Sequence, residues 1–101
     1  MIAIPLERVE RLEACDDYVA ICIEGRRHLL HARLQDLYAR IDQSRFLRVH
    51  RSHVVNRGFI NAIEPRDGAR LTLVLASGER IPASRSGSAL VRSAELNPRS
   101  P

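Results

Sequence analysis

Residues 46–57 read Phe-Leu-Arg-Val-His-Arg-Ser-His-Val-Val-Asn-Arg, with Arg48, Arg51 and Arg57 set among His50, Ser52, His53 and Asn56 and no carboxylate anywhere in the stretch. An arginine fork matches the oxygens of a phosphate or the O6 and N7 edge of guanine. Asn, Ser and His supply shorter contacts to phosphates or bases. Leu47, Val49, Val54 and Val55 form the apolar scaffold between them. This composition suits holding a polyanion in register and offers little to catalysis. A second stretch, Pro82-Ala83-Ser84-Arg85-Ser86-Gly87, places one arginine among small hydroxylated residues. Small neighbours let the backbone approach a phosphate ridge while Arg85 reaches past it to a base. A third stretch, Cys15-Asp16-Asp17-Tyr18, offers an aspartate that can accept from cytosine N4 and a tyrosine that can reach a phosphate. A plain Asp-rich turn accounts for that third stretch equally well.

Other chemistries fit poorly. Ser52 lies between two histidines, but adjacent residues cannot build a triad in space, and no Gly-x-Ser-x-Gly or glycine-rich phosphate loop exists. His28 and His31 are three apart, as are His50 and His53, a spacing that sends each pair to opposite faces of a strand. No Cys-x-x-Cys or His-Glu-x-x-His accompanies them. Neither an enzyme nor a metal or other cofactor is expected.

The chain of 101 residues has the length of one domain. At 45% hydrophobic and 28% charged it reads as globular rather than disordered, and with 4% aromatics its core must come from Leu, Ile, Val and Ala. No apolar run approaches the roughly 20 residues that span a bilayer. The start, Met-Ile-Ala-Ile-Pro, lacks the basic and long apolar regions of a signal peptide. Cys15 and Cys22 read as reduced strand residues, so a cytoplasmic location is expected. Charge is uneven: residues 1–44 carry 6 Arg against 8 Asp+Glu, a net of −2, while residues 45–101 carry 10 Arg against 4, a net of +6. An anion-binding face is therefore expected in the second half.

Short strands must position these residues. Residues 18–23 are apolar and partly β-branched, Glu24-Gly25 makes a turn, and residues 27–33 return as a second strand. Further strands are expected at 60–64, 71–75 and 80–83, separated by Pro65-Arg66-Asp67-Gly68 and Ser77-Gly78, with weaker strand signals at 2–4 and 9–14. Leu34, Leu37, Tyr38 and Ile41 share one face of a short helix. A second helix is expected over about 87–94, with Ser84 or Ser86 as its cap. Arg48 and His50 should share a strand face opposite Leu47 and Val49, with Arg51-Ser52-His53 as the loop or bulge that follows. The fold class expected is mainly β, with short antiparallel strands and one or two short helices.

The 46–57 segment closely resembles the signature of the LytTR DNA-binding domain of bacterial transcription regulators. Residues 71–86, with Gly78, Ile81, Pro82 and the Ser84-Arg85 pair, look like that family's last strands and the residues after them. The resemblance covers about residues 2–96, so a domain is expected over 1–96 with a tail at 97–101. It implies an elongated β fold whose loops, rather than a recognition helix, enter successive major grooves on one side of double-stranded DNA, here to regulate transcription. Carried onto this chain, it makes Arg51, Arg85 and Asp17 the base-reading residues. Tyr18, Arg48, His50, Ser52, Asn56, Arg57 and Ser84 then hold the DNA backbone. His53 stands where the family often has Tyr or Phe, which leaves it a core residue or a contact. Members commonly act in pairs on repeated half-sites and sit behind a receiver or sensor domain. No such domain lies in this sequence, so an excised domain or a small stand-alone regulator is expected. The rival expectation is a protein-interaction module whose basic face docks an acidic partner.

Overall fold

The structure, a computed structural model, describes residues 5–94. The strand expected at 2–4, the end of the domain at 95–96 and the tail at 97–101 lie outside the described residues. Three strands lead, β1 (Val9–Cys15), β2 (Tyr18–Ile23) and β3 (Arg26–His31), followed by helix α1 (Leu34–Tyr38). Then come β4 (Phe46–His50), β5 (His53–Asn56), β6 (Ile60–Pro65), β7 (Leu71–Leu75), β8 (Arg80–Pro82) and helix α2 (Arg85–Ser93). They form an antiparallel five-stranded sheet in the order β3-β2-β1-β5-β4 and an antiparallel three-stranded sheet in the order β6-β7-β8. The molecule is elongated, 41 × 28 × 21 Å.

Local turn chemistry explains the meander. Glu24 and Gly25 both take positive φ (50° and 77°), the pattern of a two-residue turn whose twist matches the strands it joins. Asp16 does the same at the β1–β2 turn with φ 53°, which a short polar side chain tolerates. The strand alternation then sorts the core. Leu47, Val49 and Val55 face the three-stranded sheet and pack with Ile60, Leu71, Leu73, Leu75, Ile81 and Val91. Phe46 and Val54, one residue out of phase, pack on the opposite face with Val9, Leu12, Val19 and Leu34. β4 and β5 are thus buried on both faces, which is why Phe46-Leu47 and Val54-Val55 are apolar in succession.

Element boundaries differ from the sequence reading in instructive ways. β3 ends at His31, two residues short of expectation, and every residue in it is exposed at the sheet edge. α1 covers one turn and has no side-chain cap; Ile41 lies beyond it yet still packs with Leu37 and Tyr38 against the same core. α2 starts at Arg85 rather than Gly87, because Ser84 is the N-cap and accepts from the Gly87 N–H at 3.0 Å. Ser88, fully buried on α2, accepts from the Leu71 N–H at 2.9 Å and ties the helix to β7. Phe46 is fully buried in the second core, with Val9, Leu12, Val19 and Leu34. Phe46→Ala should cost about 3–5 kcal/mol, read as a fall in urea-unfolding free energy. A loss below about 1 kcal/mol would mean the second core collapses freely around the gap.

Candidate nucleic-acid interface

Strand register brings the three singled-out segments to one end of the large sheet. The β1–β2 turn closes at the Cys15–Tyr18 pair, and the β4–β5 turn closes at the His50–His53 pair. β1 and β5 are neighbours, Glu13 lies opposite His53, and the Ala14 N–H donates to the Ser52 carbonyl at 2.9 Å. The two turns therefore lie side by side, about 10 Å apart for strands spaced by roughly 4.8 Å. At the outer side of β4, the Ser84 N–H donates to the Val49 carbonyl at 2.9 Å, which puts the start of α2 next in the row. Asp17, Tyr18, Arg51, Ser52, Ser84 and Arg85 thus share one edge.

The middle of that edge is cationic. Arg48, His50, Arg51, Ser84 and Ser86 line one hollow that contains no carboxylate. Arg51 and Arg85 are exposed, and neither side chain forms a hydrogen bond or ion pair with any described residue. The backbone that carries Arg51 is held tightly. Arg48 donates from Nη2 to the Arg51 carbonyl at 2.9 Å, and the Ser52 N–H donates to His50 Nδ1 at 3.1 Å. Each of these charged or aromatic side chains is spent partly on the turn itself.

A bulge fixes the distance between the two arginines. The β4–β5 register shifts between Arg48 and His50, so Val49 leaves the ladder and its carbonyl is free for α2. That carbonyl accepts from the Ser84 N–H and approaches Ser84 Oγ at 3.4 Å. Gly87 lies against the same group: a Cβ there would stand 1.8 Å from the Val49 oxygen. Gly87 thus has a packing role that the sequence reading did not assign to it. The available signal was a glycine inside a helical stretch, where it is a poor helix former and calls for a packing reason.

The structure separates other expected contacts from the edge. Asn56 is 2% exposed, donates to the Val9 carbonyl at 2.8 Å and accepts from the Gly58 N–H at 3.0 Å. Its amide is used inside the fold, away from the edge. Arg57 follows at the far end of β5 and donates to the carbonyls of Ser44 (2.9 Å) and Ala94 (3.2 Å), the second being the C-cap of α2. It caps a helix end away from the row rather than joining it. His50 and His53 do not diverge to opposite faces; they are partners across the turn, with ring centroids 5.4 Å apart. Burial holds the His53 imidazole below its ordinary range, with Glu13 opposing and Arg11 and His50 adding to the shift. Its Nδ1 is buried and has no hydrogen-bond partner among the described residues. At the other end of the row, Asp16 and Asp17 share a hollow with His31, Arg33 and Asp36, so Asp17 belongs to an acidic neighbourhood. His31 and Arg33, read from sequence only as strand residues, join the edge there; His31 stacks edge-on to Tyr18 at 5.2 Å.

Comparison with known proteins agrees with this geometry. Residues 1–94 match the family model described as the LytTr DNA-binding domain. The chain belongs to the LytTR family, the DNA-binding domains of bacterial response regulators and other transcription regulators. The heme-containing CO-sensing transcriptional regulator RcoM 2 of Paraburkholderia xenovorans is 31% identical over 93 residues, covering 91% of this chain and 35% of that protein. The sensory transduction protein LytT of Bacillus anthracis is 26% identical over 85 residues, covering 84% of this chain and 35% of that protein. The chain therefore spans about a third of the length of these curated relatives. A solved LytTr DNA-binding domain of a putative methyl-accepting/DNA response regulator from Bacillus cereus superposes with a TM-score of 0.84 at 31% identity, covering 92% of this chain and 85% of that one. The mainly antiparallel fold expected from sequence is the family's fold.

Two outcomes follow from the packing. Gly→Ala inside a helix ordinarily stabilises by about 1 kcal/mol. Gly87→Ala should instead destabilise by about 1–3 kcal/mol in urea unfolding, because the added methyl drives α2 off the Val49 carbonyl. His53 is held neutral in the fold and takes up its proton on unfolding. The stability it protects is complete above an imidazole's ordinary 6.5 and is lost as pH falls below that value toward its lower folded pKa. His53→Phe should remove that loss, so unfolding free energies at pH 7.5 and pH 5.5 should differ less in the variant than in the wild type; an unchanged difference would place the titration elsewhere.

Proposed function

We propose that this domain binds double-stranded DNA sequence-specifically, with the loops of the edge entering successive major grooves on one side of the duplex. The observation that carries the reading is the carboxylate-free hollow between Arg51 and Arg85, with both guanidinium groups exposed and their backbones fixed to one another through Val49. A phosphate ridge fits there, meeting Arg48, His50, Ser84 and Ser86, while Arg51 and Arg85 reach base edges beside it. Ser52 and Tyr18 extend the backbone contacts along the row, and Asp17 adds a third base contact at its acidic end. The domain then serves as the output unit of a transcription regulator, joined to a receiver or sensor domain and working in pairs on repeated half-sites.

Selection from a random duplex library, followed by gel-shift titration at two salt concentrations, tests this. Arg51→Ala and Arg85→Ala should each lower the preference for the selected duplex over random sequence by about 5- to 150-fold, the range of one bidentate arginine–guanine contact. Binding to random duplex should fall steeply with salt, by roughly 0.9 in logarithmic slope per phosphate held. If the same basic face instead docks an acidic protein, random duplex will not bind even at low salt. Retention of full sequence preference by Arg51→Ala would remove that residue from the reading surface.

A further inference from the structure

The peptide between Arg51 and Ser52 is clamped from both sides. Its oxygen accepts from Arg48 Nη2 at 2.9 Å and its N–H donates to His50 Nδ1 at 3.1 Å. An imidazole can accept through Nδ1 only when that nitrogen carries no proton, which leaves the proton on Nε2. We infer that His50 is a positioning residue for Arg51, acting as a neutral acceptor that holds the turn in its DNA-reading shape. The inference rests on the DNA-binding reading of this edge and gives His50 a role beyond touching phosphate.

The surroundings sharpen the consequence. Facing His50 are Arg48 on its own strand, Arg51 in the turn and His53 across on β5, with Glu13 and Arg11 of β1 beyond His53. From the start of α2 come Ser84 and Ser86, with Arg85 exposed between them. A second proton on His50 would set Nδ1–H against the Ser52 N–H, two donors with nothing between them, and add a cation beside two guanidinium groups. Simple electrostatics says that an extra positive charge strengthens DNA binding. The geometry says the opposite for sequence-specific binding, because the turn that presents Arg51 loses its clamp. Asn at this position keeps an acceptor for the N–H two residues on, as in an Asx-turn, and does not titrate. Gln carries its acceptor too far out to do so.

Two measurements on the whole chain decide this. The first needs no DNA: long-range nitrogen–proton correlation of the histidine rings at pH 8 should show His50 as the Nε2–H tautomer. Exchange of the Ser52 amide at a fixed pH should be faster in His50→Gln than in wild type. An Nδ1–H tautomer would overturn the inference while leaving the DNA reading intact. The second compares a selected duplex with random duplex at pH 8, for proteins shown to be folded by circular dichroism. Wild type should exceed His50→Gln by about three- to tenfold in preference for the selected duplex, the worth of about one hydrogen bond. His50→Asn, which keeps an acceptor for the Ser52 N–H, should recover part of the preference that His50→Gln loses. An Asn variant as poor as the Gln variant would overturn the inference. Failure to enrich any duplex would remove the DNA reading and this inference together, whatever the tautomer.

Discussion

The Val49 carbonyl is the point at which the two halves of this molecule meet. A β-bulge takes it out of the β4–β5 ladder, and a carbonyl so released must find another donor or lose its hydrogen bond in a buried place. The Ser84 N–H supplies that donor, and Gly87 allows the helix backbone to come close enough. With that contact made, α2 and the small sheet pack over Leu47, Val49 and Val55 as one core. The same contact sets how far Arg85 stands from the Arg51 turn. The packing of the core and the spacing of the two turns therefore both run through one oxygen atom.

Charge is distributed by the same economy. Arg11 is buried against Glu13, with Glu79 3.7 Å away, and Arg8, Arg27, Arg70 and Arg80 face Glu24, Glu13, Asp67 and Glu64. Burial alone would raise the Glu13 carboxyl; the hydrogen bond and charge of Arg11, with His53 and Arg27, outweigh it and hold the group below the ordinary glutamate value. Arg57, Arg66 and Arg92 donate to backbone carbonyls at Ser44 and Ala94, Ala83, and Ala69. Exposed pairs of this kind add little stability each. Their larger effect is on the field: carboxylates lie beside arginines elsewhere, and the hollow at Arg48, Arg51 and Ser84 has none. The acidic residues Asp16, Asp17 and Asp36 gather at the other end of the edge, so the row is polarised along its length.

Much of this was legible before any coordinates. The two-residue period at 71–75 appears as β7, the apolar run at 18–23 as β2, and the glycine turns fall where their chemistry placed them. Local preference suffices there, because turn residues and alternating apolar residues state their conformation themselves. What misled was sequence neighbourhood taken for spatial neighbourhood. Asn56 and Arg57 sit in the same motif as Arg51, yet a strand carries them to the other end of the sheet, where they serve the backbone. His50 and His53 look divergent by strand parity, yet a reversal between them makes them partners. Gly87 looked like a helix boundary because its reason for being glycine lies 38 positions earlier, in the carbonyl of Val49.

By itself the sequence determined the mainly antiparallel fold, the clustering of cationic and hydrogen-bonding side chains in two motifs, and the family to which the chain belongs. Those properties follow from residue type and short-range spacing, which the chain carries in linear order. Only the tertiary structure decided which members of each motif stand on the common edge, that Arg48 and His50 grip the Arg51–Ser52 peptide, and that Val49, Ser84 and Gly87 fix the two arginines to each other. Such relations depend on strand register and on a bulge, and a shift of one residue in either would reverse which side chains face outward.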